Sequence, residues 1–132
     1  MSRRSLFLVS VLVDDYDRAK EFYCGVLGFE TVSDDPLPEG KRWMVVKPPG
    51  GEGAALLLAR AEGPAQQAVI GNQAAGRVGF FLKTDDFARD HAAFIDGGVR
   101  FIEEPRVEAY GTVAVFADLY GNLWDLIQHA TS

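Results

Sequence analysis

At 132 residues, the chain has room for one compact domain or two small modules that pack as a pair. Apolar residues make up 48% and charged residues 24%, which excludes a wholly disordered chain and a rod-like repeat. Asp and Glu outnumber Lys and Arg by 19 to 13, and basic residues cluster no further than pairs such as Arg3-Arg4, so nucleic acid is not an expected partner.

Residues 6–13 form an apolar run behind Arg3-Arg4 that mimics a signal peptide. Asp14-Asp15 stands where a small-residue cleavage site belongs, so the run is read as a strand buried on both faces. No apolar stretch approaches the ~20 residues that cross a bilayer, which argues against a membrane partner and for a cytoplasmic protein. Asp14-Asp15 can cap a helix whose apolar face is Ala19, Phe22, Tyr23, Val26 and Leu27, with Gly28 as its left-handed stop. A short strand follows over 29–33, then a Pro- and Gly-punctuated loop over 34–40. Strands over 42–47 and 54–59 flank a turn whose Pro49-Gly50-Gly51-Glu52-Gly53 lacks the Lys-Ser/Thr ending and following helix of a phosphate loop.

The same order then begins again. Asp14-Asp15-Tyr16 recurs as Asp85-Asp86-Phe87, and Arg18 as Arg89, behind a strand over 78–84. The second helix carries Phe87, His91, Phe94 and Ile95 on one face and stops at Gly97-Gly98. Strands over 113–117 and 124–128 match those over 43–47 and 54–58. The fold class is therefore α+β, with two β-α-β-β-β modules over 5–60 and 77–129. The linker, 61–76, carries a short helix around 65–70. Neither module can bury a sheet face alone, so the two should pair.

The stretch Asp15-Tyr16-Asp17-Arg18-Ala19-Lys20-Glu21-Phe22-Tyr23, the run Val26-Leu27-Gly28-Phe29 and the turn Asp118-Leu119-Tyr120-Gly121-Asn122 resemble signatures of the vicinal oxygen chelate superfamily. That superfamily includes glyoxalases, extradiol dioxygenases and bleomycin-resistance proteins. The resemblance implies an open, cup-like mixed barrel, a small organic ligand in a cavity between the modules, and a homodimer. It also implies metal ligands on the first and last strand of each module. Those positions fall on Leu8, Ala55, Gly79 and Asp125, of which only Asp125 carries a donor, so no metal and no cofactor are expected. The alternative is a metal-dependent glyoxalase-like lyase or dioxygenase whose ligands lie elsewhere, or a metal-free proton transfer at Asp125.

Alternation along the last strand sets Leu123, Asp125 and Ile127 on one face and Trp124, Leu126 and Gln128 on the other. The expected pocket lining is Leu6, Leu8, Ser10, Ala55 and Leu57 from module one, with Arg77, Gly79, Phe81, Asp125 and Ile127 from module two. Asp125 needs a partner or solvent, and Arg42, Arg77 or Arg106 could provide one, Arg77 above all. Trp43, Phe81, Tyr110, Phe116 and Trp124 are aromatics for core packing, with one or two left for a pocket. His91 reads as a half-buried helix residue and His129 as part of a frayed end. Cys24, the single cysteine, reads as an inert thiol; it cannot form an internal disulfide and suits a reducing compartment.

Overall fold

The computed structural model describes residues 2–131. Contacts divide the chain between Ile70 and Gly71 into two units.

The first unit builds one four-stranded sheet in the order β1-β4-β3-β2 from β1 (Leu8–Val13), β2 (Glu30–Pro36), β3 (Arg42–Lys47) and β4 (Ala55–Arg60). β1 runs parallel to β4, and the other pairs are antiparallel. Helix α1 (Tyr16–Lys20) starts where Asp15 Oδ1 accepts from the Arg18 amide at 2.9 Å. It widens into a π-helical stretch over Glu21–Val26, ending where the Leu27 amide donates to the Phe22 carbonyl five residues back. Gly28 then takes φ +75°, and the Phe29 amide closes on Tyr23. Tyr16, Ala19 and Tyr23 pack on a core of Val11, Val13, Met44, Val46, Leu56 and Leu58.

Three features depart from the sequence expectation. β1 begins at Leu8, not residue 6, with Leu6 75% and Phe7 74% exposed ahead of it, and the strand is not covered on both faces, since Val9 and Ser10 within it are exposed. β2 continues through Asp34-Asp35-Pro36, which the proline and glycine pattern assigns to a loop. Arg42 reaches back across the ladder to Asp34 at 2.9 Å and Lys20 pairs with the same carboxylate at 2.9 Å, so long-range ion pairs hold those residues extended. Pro36 is tolerated as the last residue of an edge strand. The short helix α2 lies at Gly63–Ala68 rather than around 65–70, with Pro64 in its first turn.

The second unit repeats the plan with β5 (Val78–Lys83), α3 (Phe87–Asp96), β6 (Arg100–Phe101), β7 (Arg106–Glu108), β8 (Gly111–Ala117) and β9 (Leu123–His129). Its sheet runs β5-β9-β8-β6, with β7 also on β8 and β5 parallel to β9. Asp86 caps α3 through the Arg89 amide at 3.1 Å, and Gln128 of β9 accepts from the Phe87 amide at 2.7 Å. Gly98, at φ +91°, stops the helix. Phe87 and Phe94 are buried, whereas Ile95, expected on the same face, is 52% exposed.

The strand order in this unit is longer than expected. The counterpart of β2 is split into β6 and β7, and between them the Glu103 side chain takes the Val115 amide at 3.1 Å that a continuous strand would have paired. Each unit therefore contains one open mixed sheet with helix on one side, an α+β arrangement.

Candidate functional site

The β8–β9 turn sets the position of β9. Asp118 is buried and its Oδ1 accepts from the amides of Tyr120, Gly121 and Asn122 at 2.9, 3.1 and 3.0 Å. Its Oδ2 accepts from Asn122 Nδ2 at 2.9 Å and Trp124 Nε1 at 3.4 Å. Gly121 adopts φ +103°, and Gly71 lies so close that a Cβ there would fall 1.9 Å from the Tyr120 carbonyl oxygen. The turn is thus locked from both sides, and β9 leaves it in one register.

From there, alternation does the rest. Trp124 and Leu126 face α3 and are buried, Trp124 stacked between Phe80 at 4.6 Å and Phe116 at 5.8 Å. Asp125 and Ile127 face the other way. Directly opposite Asp125 are Phe81 on β5 and Val115 on β8, and Lys83 and Val113 flank Ile127. Phe81 is 68% exposed, while Val113 and Val115 are buried between their larger neighbours.

Asp125 is half-buried and makes no hydrogen bond or ion pair among the described residues. Burial pushes its carboxyl above the ordinary carboxylate value; the Arg106 charge opposes that rise and the Glu103 charge adds to it. The counter-charge is therefore Arg106, not the expected Arg77. Arg106 is itself committed to Glu103 at 3.2 Å and Glu108 at 3.0 Å. Arg77 lies beyond the start of β5 and lines a cavity of about 20 Å³ with Gly79, Phe80, Gly121 and Asn122, room for a single water.

The remaining sequence candidates divide by unit. Leu8 is opposite Ala55, and Ser10 opposite Leu57, so these four share the sheet face turned away from α1. Leu6 precedes β1. Gly79 is not opposite a β9 residue: the ladder slips between Val78 and Phe80, and this slip brings Phe81 beside Asp125. Trp43 is 41% exposed and Tyr110 51%, whereas Phe116 is fully buried. His91 stacks on Phe87 at 5.2 Å and tilts against Phe101 at 4.4 Å. His129 is not frayed; it closes β9 opposite Gly111. Cys24 approaches the Thr31 hydroxyl at 3.5 Å. Glu103 and Glu108 are charges near this face that sequence spacing did not single out.

The metal that the family resemblance implies does not fit this donor set. In the first sheet Leu8 and Ala55 offer no donor, and in the second Gly79 offers none and Asp125 faces Phe81, so each sheet falls short of the three or more donors a divalent ion needs. Among the described residues no three His, Cys, Asp or Glu side chains converge elsewhere. No helix among them is long and apolar enough to cross a membrane.

Comparison with known proteins agrees with this architecture. A family model described as the glyoxalase/bleomycin resistance protein/dioxygenase superfamily matches residues 5–126. An uncharacterized protein of Shewanella frigidimarina is 51% identical, the match covering 96% of this chain and 94% of that one. Among solved structures, TnmS3, an antibiotic binding protein from Streptomyces sp. CB03234, is 32% identical with a TM-score of 0.80, covering 98% of this chain and 99% of its own. A glyoxalase/bleomycin resistance protein from the same Streptomyces strain is 34% identical with a TM-score of 0.75, covering 94% and 100%.

Proposed function

The chain belongs to the glyoxalase/bleomycin resistance protein/dioxygenase superfamily, and from that premise we propose that it binds a small, flat organic cation without a metal. The site is the face of the second sheet that carries Asp125, Phe81 and Ile127. The observation that carries the reading is the state of Asp125: a half-buried carboxylate with no partner of its own among the described residues, beside an exposed aromatic ring. Desolvating an unpaired carboxylate is costly, and a ligand cation removes that cost by supplying the missing charge. Phe81 offers a ring face to a planar ligand and Ile127 an apolar flank. The antibiotic binding described for TnmS3 supports the same class of role.

The experiment is a fluorescence titration with ethidium, a planar aromatic cation, in buffer containing a chelator. Binding should saturate with the chelator present. Asp125→Asn should weaken it by about 1.5–3 kcal/mol, the worth of a charge-assisted hydrogen bond. Binding that requires added divalent metal, or that ignores Asp125→Asn, would contradict the proposal and favour the metal-dependent lyase or dioxygenase reading.

A further inference from the structure

A second feature lies between α3 and β6. A surface depression of about 450 Å³ there is lined by His91, Ile95, Phe101, Ile102, Glu103 and Glu104, a volume within the range of small-molecule sites. Most of its lining is apolar. Ile95 and Ile102 are 52% and 50% exposed, and the half-buried rings of His91 and Phe101 tilt against each other at 4.4 Å. Exposed apolar side chains gathered in one concavity mark a surface that has something to bind.

The remaining lining is acidic, and a strand is interrupted to make it so. Glu103 occupies the gap between β6 and β7, where its Oε1 accepts from the Val115 amide at 3.1 Å and from Arg106 Nε at 3.2 Å. Both bonds fall on the same oxygen. Oε2 accepts no hydrogen bond among the described residues, so the carboxylate is anchored by one oxygen and offers the other. Glu104, next to it, has no ion pair or hydrogen bond among them. None of the six lining residues is a lysine or arginine, and Arg106 is shared with Glu108 at 3.0 Å. Two carboxylates therefore border an apolar depression with acceptor capacity to spare.

We propose that the α3–β6 depression binds a primary alkylammonium ion. The ammonium donates to Glu103 Oε2 and to Glu104, and the alkyl chain lies on Ile95, Ile102 and Phe101. A primary ammonium carries three donors and no acceptor, which suits two carboxylates with unused oxygens. An uncharged chain in the same place would shield those carboxylates from water without pairing them, and an anion would meet two like charges. The net charge of −6 further favours a cation at the surface. The proposal does not rest on Asp125, which faces away from α3.

The test is a titration of the nitrogen-15-labelled protein with hexylammonium at low ionic strength, followed by amide NMR shifts. Circular dichroism melts establish that each variant folds. Saturable shifts should centre on Ile95, Phe101, Ile102, Glu103 and Glu104. Hexanol, which keeps the chain and loses the charge, should bind the wild-type protein about tenfold more weakly. Each methylene removed, down to butylammonium, should weaken binding by about two- to fourfold. Glu104→Gln should weaken hexylammonium by about three- to tenfold, and Ile102→Ser should flatten the dependence on chain length. Hexanol binding as tightly as hexylammonium would overturn the proposal, because the carboxylates would then play no part. So would an affinity indifferent to Glu104→Gln, a titration without saturable shifts, or shifts that gather around Asp125 instead. The last result would leave the cation reading of Asp125 in place and remove this second site.

Discussion

The two units share a strand plan, but two carboxylates whose titration their surroundings shift, Asp34 and Asp125, lie on opposite sides of the sheet. In the first, Asp34 is gripped by Arg42 and Lys20, with Arg42 also reaching Asp17 at 2.8 Å and lying 5.3 Å from the Tyr16 ring. On the opposite face the β1–β4 pair carries Leu8, Ala55, Ser10 and Leu57, with no carboxylate among them. In the second unit the α3 side is aromatic, with Phe80, Trp124, Phe116 and Phe94 in contact, and the unpaired carboxylate of Asp125 sits on the other face. The lesson is that a repeated scaffold fixes where a side chain points, while the residue type at that point decides whether the face merely packs or can hold a charged ligand.

Four substitutions would break or sharpen that contrast. The largest effect should come from Asp118→Ala, since the turn before β9 hangs on its carboxylate. Five donors lose the carboxylate, three of them backbone amides, of which that of Gly121 keeps a second acceptor, the Asp118 carbonyl. Thermal or denaturant unfolding should show a loss of about 3–5 kcal/mol, a range typical of broken buried networks. Ala55→Asp makes the first unit imitate the second. Ala55 is 9% exposed and opposite Leu8, so an unpaired carboxylate there should cost about 2–3 kcal/mol by the same measurement.

Smaller effects follow from titration. Hydrogen bonds from Arg42 and Lys20 hold the Asp34 carboxyl down to about 2. Its contribution is present above the ordinary carboxylate range and is lost as pH falls toward that value. Asp34→Asn should therefore destabilise by about 1 kcal/mol at neutral pH, the scale of a solvent-reached pair, and by progressively less in acid. Asp125 carries the opposite sign. Its raised carboxyl gives stability that is present below the ordinary value and lost as pH rises through the folded-state value. Asp125→Asn should melt no lower than wild type at neutral pH, and slightly higher. A clear loss of stability would mean that Asp125 is structural.

Much of this was legible in the sequence, for reasons that can be named. The period-two pattern of 123–128 separates Asp125 from Trp124, and the capping aspartates at 15 and 86 mark both helix starts, because each signal is local. What was not legible depends on partners distant in sequence. The slip at Gly79, which brings Phe81 rather than its neighbours to Asp125, needs the β5–β9 ladder to exist first. Glycine inside a strand hints at such a slip without giving its direction. Arg77 suggests itself as the counter-charge because it precedes β5, yet β5 starts beside Leu123, short of Asp125. Arg106 arrives instead through β7 and β8. The extension of β2 through Pro36 required Arg42 and Lys20 to close on Asp34 from other elements.

The proposed cation site rests on one carboxyl group, and its titration is the most direct measurement. Carbon-detected NMR of Asp125, followed through pH in the free protein and again with ethidium bound, reads that group alone. The free protein should titrate above the ordinary carboxylate value, as burial without a partner requires, and the bound cation should bring the value down. A free-state value at or below the ordinary one, or a titration that ethidium leaves unmoved, would contradict the account.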